Sequence, residues 1–282
     1  EHPICMDIVR EEVERDDEGK EIEGAERKVT VTEETLNSRK AIWLRPKNEV
    51  NSEDYAEFYK HISHDFQEPF ESIHWNVEGQ AEFKALVYIP QRAGMDMFMP
   101  EQKNKGLQLY VHRVFITDNC EELLPNYLRF LRGVVDSADL PLNVSREMLQ
   151  EARALQIIRK NVVRKVLDTL AEIKEKQSER YEKFWESFGK VLKEGLHTDF
   201  ENREKLQDLL LFESSSTEPG KLTSLADYVK RMPEEQKDIY YLTAEDRNAA
   251  QNAPQLEIFR SKGFEVLFMI DPIDEWIVND IS

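Results

Sequence analysis

Two hydrophobic periods alternate along this chain, and the points where one gives way to the other divide it into elements. Residues 4–14 and 27–36 read as two strands, with Val29 and Val31 alternating with threonines, joined around the acidic turn Asp16-Asp17-Glu18-Gly19. Ala41-Ile42-Trp43-Leu44 reads as a short apolar strand ended by Pro46. Ser52 then opens a helix in which Tyr55, Phe58, Tyr59, Ile62 and Phe66 recur at spacings of three and four. Strands follow near 81–89 and 107–117, separated by the long connection 91–106. Pro125 to Phe130 reads as a short helix and Leu131 to Val135 as a buried strand.

From Arg146 onward the period becomes helical. Leu155, Ile158, Val162, Val166, Leu170 and Ile173 form one stripe, and Tyr181, Phe184, Trp185, Phe188, Val191 and Leu192 form the next, with a stop at Gly195. Phe200 to Phe212 predicts a third helix, and Ser214 to Gly220 is the clearest loop. Beyond it come a helix (Ser224–Arg231), a strand (Ile239–Thr243), a helix near 244–262, a strand (Val266–Ile270) and a helix (Ile273–Ile281). That order implies a small parallel sheet with helices on its faces. The expected fold class is mixed α/β. A larger α/β subdomain occupies 1–165, a three-helix connecting coil 166–213, and a smaller α/β/α subdomain 214–282.

Charge narrows the function. With 56 acidic against 38 basic residues the chain carries a net charge of −18, which argues against general nucleic-acid binding. Only Cys5 and Cys120 are present, so no disulfide framework is implied and a reducing, cytoplasmic setting fits. No apolar run approaches the ~20 residues that span a bilayer, and no membrane association is expected. The chain opens on Glu1-His2-Pro3-Ile4 without an initiator methionine, which reads as a piece of a longer protein.

Few residues suggest chemistry. No glycine-rich loop is present to cradle a phosphate. His61 and His64, followed by Asp65, fall on one helical face, but no further Cys or His is spaced to complete a set of metal ligands, and no metal is expected. In Asp139-Leu140-Pro141-Leu142-Asn143-Val144-Ser145-Arg146 the serine suits an N-cap, which places Arg146 at the first helical position and Gln150 one turn on. Two readings of Arg146 fit this spacing: a solvated charge beside a capped helix, or an arginine held at its base and free at its tip to meet a phosphate. Trp43 beside Arg45, and the run Met95, Met97, Phe98, Met99, are candidate adhesive surfaces, since methionine suits surfaces that accept many partners. Trp43 fits a core position equally well.

The segment from Leu128 to Gln150 resembles the catalytic loop of the 90-kDa heat-shock protein family of chaperones. Lys40–Arg45, Glu57–Phe66, Leu107–Asp118 and Ile239–Thr243 resemble the middle domain of the same family, in the same order, so the likeness covers nearly the whole chain and is closest to the bacterial members. Leu44, Pro46 and Met95 depart from the family's pattern. The resemblance implies an ATP-dependent chaperone in which an N-terminal domain binds ATP with Mg2+, the middle domain completes the hydrolytic site, and a C-terminal domain forms a homodimer. It implies that Arg146 reaches the γ-phosphate, with Asn143 and Gln150 supporting the loop, and that Trp43, Met95 and Phe98 touch unfolded client proteins. It also implies cooperation with the 70-kDa heat-shock system, and a fragment that alone binds no cofactor and turns over no ATP. Two other readings compete: a non-catalytic acidic scaffold that docks partner proteins, and a free-standing hydrolase using His61 and His64.

Overall fold

The computed structural model describes residues 40–79, 81–94, 106–142 and 153–281 in full, and residues 5–12 and 28–35 as paired backbone. Main-chain proximity divides the chain into two compact units, 1–51 and 52–282. In the first, β1 (Cys5–Glu12) pairs antiparallel with β2 (Lys28–Thr35) in the register Cys5 to Thr35 and Glu12 to Lys28, the expected hairpin. The expected strand at Ala41–Leu44 is instead a 3-10 turn, Ile42–Leu44, and a second such turn, Lys47–Glu49, follows Pro46. Prolines suit the position just before a helical turn, where no backbone donor is needed.

The second unit is built on a five-stranded mixed sheet. Its strands are β3 (Glu71–Val77), β4 (Phe83–Ile89), β5 (Leu107–Val111), β6 (Val114–Thr117) and β7 (Arg132–Ser137), in the order β3-β4-β7-β5-β6. Only the β5–β7 pair is parallel. The run 107–117, expected as one strand, is a hairpin whose turn residues His112 and Arg113 both take positive φ (48° and 67°). Their amides donate to the Ser137 carbonyl (3.0 Å) and the Asp136 carboxylate (3.1 Å), so the end of β7 imposes the turn. β7 is buried along its whole length, as a central strand must be.

One face of β4 (Phe83, Ala85, Val87, Ile89) enters the main core; on the other, Tyr88 meets Phe58 and Tyr59 of α1 (Ser52–Ser63). Two long helices complete the core, α2 (Arg153–Lys176) and α3 (Ser178–Thr198), and their buried residues include both expected stripes. Gly195 does not stop α3. It makes room, since a Cβ there would lie 2.9 Å from both Leu206 and Tyr127. The third expected helix is shorter, α4 (Arg203–Leu209), entered through the 3-10 turn Phe200–Asn202. Pro125–Phe130 likewise contains a 3-10 turn, Asn126–Leu128, rather than an α-helix.

The last part carries β8 (Glu213–Ser214), α5 (Leu225–Arg231), β9 (Tyr240–Thr243), α6 (Arg247–Gln251), α7 (Leu256–Lys262), β10 (Val266–Met269) and α8 (Asp274–Ile277). β9 and β10 are parallel as expected, and β8 adds an antiparallel third strand. The expected helix 244–262 is split into α6 and α7 across Pro254. Ser224 caps α5 by accepting from the Asp227 amide (3.1 Å). The boundaries expected near 165 and 213 both fall inside this second unit, where one apolar cluster runs from Phe70 to Ile277.

A buried charge cluster ties α3 to the last segment. Lys193, 3% exposed, sits 2.8 Å from Asp271 and 2.7 Å from Asp274. Burial pushes the Asp274 carboxyl upward against the pull of Lys193, whereas at Asp271 burial is outweighed by Lys193 and Lys190 and the carboxyl is held below its usual range.

Gly133 lies hard against the backbone of β4. Its φ is +148°, and a Cβ there would lie 2.2 Å from the Leu86 carbonyl oxygen. Gly133→Ala is therefore expected to cost about 3 kcal/mol or more, read as a fall in the urea midpoint at unchanged m-value.

Candidate functional site

The segment that carries the candidate catalytic residues follows the end of β7. Ala138 donates its amide to the Glu82 carbonyl (3.0 Å), and the Asp139 carboxylate accepts the Glu82 amide in return. Leu140 is then 2% exposed, anchored in the core, while Leu142 already stands in solvent. Asn143, Ser145, Arg146 and Gln150 lie outside the described residues, as do Met95 and Phe98. On the far side the chain re-enters as α2, whose Leu155 is fully buried. The segment holding Arg146 thus springs from two buried leucines, one at the end of a central strand and one on a packed helix.

Trp43 is 8% exposed in its 3-10 turn, so its ring is not presented to solvent. Phe66 is the opposite case. It was expected to continue the buried stripe of α1, but the helix ends at Ser63, and His64 turns the chain with a φ of 57°. Asp65 then pins the turn: one carboxylate oxygen accepts from the Tyr59 hydroxyl (2.8 Å) and the other from the Gln67 amide (3.0 Å). Phe66 is left 92% exposed on a fixed backbone. The signal available in the sequence was the polar pair His64-Asp65, which interrupts the apolar run and favours a helix end. Phe200 and Trp276 are further exposed rings, at 71% and 69%.

The same turn separates His61 from His64. His61 is on the last turn of α1 and His64 is beyond it, so the two imidazoles do not share a helical face. Among the described residues, no group of three or more His, Cys, Asp or Glu side chains is arranged to hold a metal ion. Nor is any described helix long and apolar enough to cross a membrane.

Cys120 is not poised as a nucleophile. It is 2% exposed, and burial, reinforced by the neighbouring Glu122 carboxylate, pushes its thiol up to about 12. Iodoacetamide at pH 8 is expected to label Cys120 at least about a hundredfold more slowly in the folded protein than in urea, followed by mass spectrometry of the peptide that contains it. Comparable rates would show that the thiol is accessible in the native state.

The sequence matches the family described as Hsp90 protein over residues 6–282. It is 57% identical over 282 residues to "Chaperone protein HtpG" of Geobacter metallireducens, covering 100% of this chain and 43% of that protein. To the HtpG of Nocardia farcinica it is 50% identical over 280 residues, covering 99% of this chain and 42% of the relative. The chain thus spans under half the length of these relatives. Among solved structures it is similar to the middle domain of a putative heat shock protein of Plasmodium falciparum, with a TM-score of 0.75 and 36% identity over 86% of this chain and 93% of that one.

Proposed function

The chain belongs to the Hsp90 family and forms its middle domain, and from that premise we propose that it is the part of an ATP-dependent chaperone that lends Arg146 to a nucleotide held by another domain. The observation that carries this reading is the anchoring of the loop. A guanidinium that stabilises the spread negative charge of a transferring phosphoryl group must be positioned before the reaction, because reorganisation would cost most of its benefit. Leu140 and Leu155 supply fixed roots on either side of Arg146, and Asn143 and Gln150 lie between those roots. The sequence has no glycine-rich phosphate cradle of its own. ATP and its Mg2+ would accordingly be held mainly by a domain outside this chain, and hydrolysis would wait on closure of the two domains.

Client contact is the second half of the reading. Phe66 is the best-supported contact, because an aromatic ring standing in solvent on a pinned turn loses little entropy on binding. Met95 and Phe98 remain candidates. Trp43 would first have to be uncovered. The wider setting follows the family: a cytoplasmic homodimer made through a C-terminal domain, serving unfolded or partly folded clients alongside the 70-kDa heat-shock system.

In the full-length protein, Arg146→Ala is expected to lower ATP hydrolysis about tenfold or more while the nucleotide Kd changes less than about twofold. Hydrolysis at the wild-type rate would remove the catalytic role. Phe66→Ala is expected to weaken capture of an unfolded client several-fold, with stability changed by less than about 0.5 kcal/mol. Trp43→Ala should instead lower stability by about 3 kcal/mol; the reverse pattern in the two variants would return client contact to Trp43.

A further inference from the structure

Strand β7 leaves the large sheet through a hydrogen bond that a regular ladder lacks. Its register with β4 runs as far as Ser137 opposite Phe83. The next pair, Ala138 opposite Glu82, is half made: the Ala138 amide donates to the Glu82 carbonyl (3.0 Å). In a regular antiparallel ladder such a pair exchanges two bonds, and the Glu82 amide would donate to the Ala138 carbonyl in return. It donates to the Asp139 carboxylate instead. A side chain thus takes the place of the last main-chain acceptor, and the chain departs at Ala138.

The donor has little play. Glu82 stands between Ala81 and Phe83, each 1% exposed, so the core fixes its amide. On the departing side the Asp139 amide is held by the Ser137 hydroxyl (3.2 Å), and Leu140 then enters the core. A bond accepted by a charged oxygen is stronger than one accepted by a neutral carbonyl. Asp139 therefore outcompetes Ala138 for the Glu82 amide and turns the chain out of the sheet. Without that carboxylate the amide is left to the Ala138 carbonyl, and an exit one residue further along β7 competes with the native one. A step of one residue exchanges the two faces of a strand, so the competing exit draws Leu140 from the core.

We propose that Asp139 is a positioning residue for ATP hydrolysis: its carboxylate ends β7 at a set point and so fixes the root from which Arg146 is presented. This rests on the reading of Arg146 as the residue lent to the nucleotide, and it names the side chain that holds the segment in place before closure. Asp139 acts through Arg146, so its loss lowers the fraction of molecules in the competent arrangement and leaves nucleotide binding alone.

In the full-length protein, Asp139→Ala is expected to lower kcat about fivefold while the KM for ATP changes less than about twofold. Asp139→Asn keeps an acceptor oxygen in the same place and should retain at least about half of the parent kcat. In the Arg146→Ala background, Asp139→Ala should have no further effect. In the complete chain alone, relaxation of the Leu140 methyl groups by a soluble gadolinium chelate, read by NMR, should rise in Asp139→Ala and stay at the parent level in Asp139→Asn. Parent-like kcat in Asp139→Ala, an equal loss in Asp139→Asn, a further loss in the double variant, or Leu140 as shielded in Asp139→Ala as in the parent would each overturn the proposal. A fast Arg146→Ala variant would remove the reading of Arg146 as well, whereas a slow one beside a fast Asp139→Ala removes only the role of Asp139.

Discussion

Strand β7 is buried over all six of its residues, and the rest of the larger sheet is arranged around that requirement. A strand with no exposed face needs a partner on each edge and apolar cover above and below. β4 and β5 supply the edges. At Gly133 the fit to β4 is so close that no side chain is admitted. The end of β7 then does three things at once. It fixes the β5–β6 turn through Ser137 and Asp136, it exchanges hydrogen bonds with Glu82 at 138–139, and it releases the chain toward Arg146 from a buried leucine. The base from which that segment departs therefore has little freedom.

Helix α3 extends that rigidity to the far end of the unit. Arg129 forms a bidentate pair with Glu194 at 2.6 and 2.9 Å, and the Tyr127 hydroxyl donates to Asp199 at 2.7 Å, so the segment before β7 is tied to the helix. On the same helix Lys193 holds Asp271 and Asp274. The two carboxylates shift in opposite directions although they share one lysine. Asp274, 1% exposed, loses more to desolvation than it regains, while Asp271 also has Lys190 at 3.0 Å and keeps contact with water. A buried pair of this kind adds little net stability relative to apolar packing, but it penalises any arrangement that separates its members. It therefore specifies how the last segment meets α3 more than it strengthens the contact.

Exposure separates two aromatic residues that stand close in the sequence. In a linear reading Phe66 continues the stripe of α1, and Trp43 fits the core as well as the surface. Trp43 is covered, and Phe66 is carried into solvent by a single left-handed residue and a carboxylate that caps the following turn. A cleft beside the turn at His64 is lined by Arg92, Arg132 and His64, from three separate parts of the chain, so nothing in their local sequence marks them as neighbours.

Long, strongly periodic segments are legible in the order of residues alone. The stripes of α2 and α3, the paired strands β1 and β2, and the buried runs of β4 and β7 follow from which residues must leave water, and that preference is local. The long resemblance from Leu128 to Gln150 points to the family for the same reason, since it is a property of order alone. The edge strand β3 was not expected, although Ile73, Trp75 and Val77 alternate as a strand should. What only the tertiary structure decided are the breaks: the turn at His112-Arg113, the passage of α3 through Gly195, and the 3-10 turn around Trp43. Where local preference is nearly balanced, a contact from a distant part of the chain is enough to settle it. The Ser137 carbonyl behind His112 and the Tyr127 ring against Gly195 are such contacts. No window of sequence around either position contains the energy that fixes it.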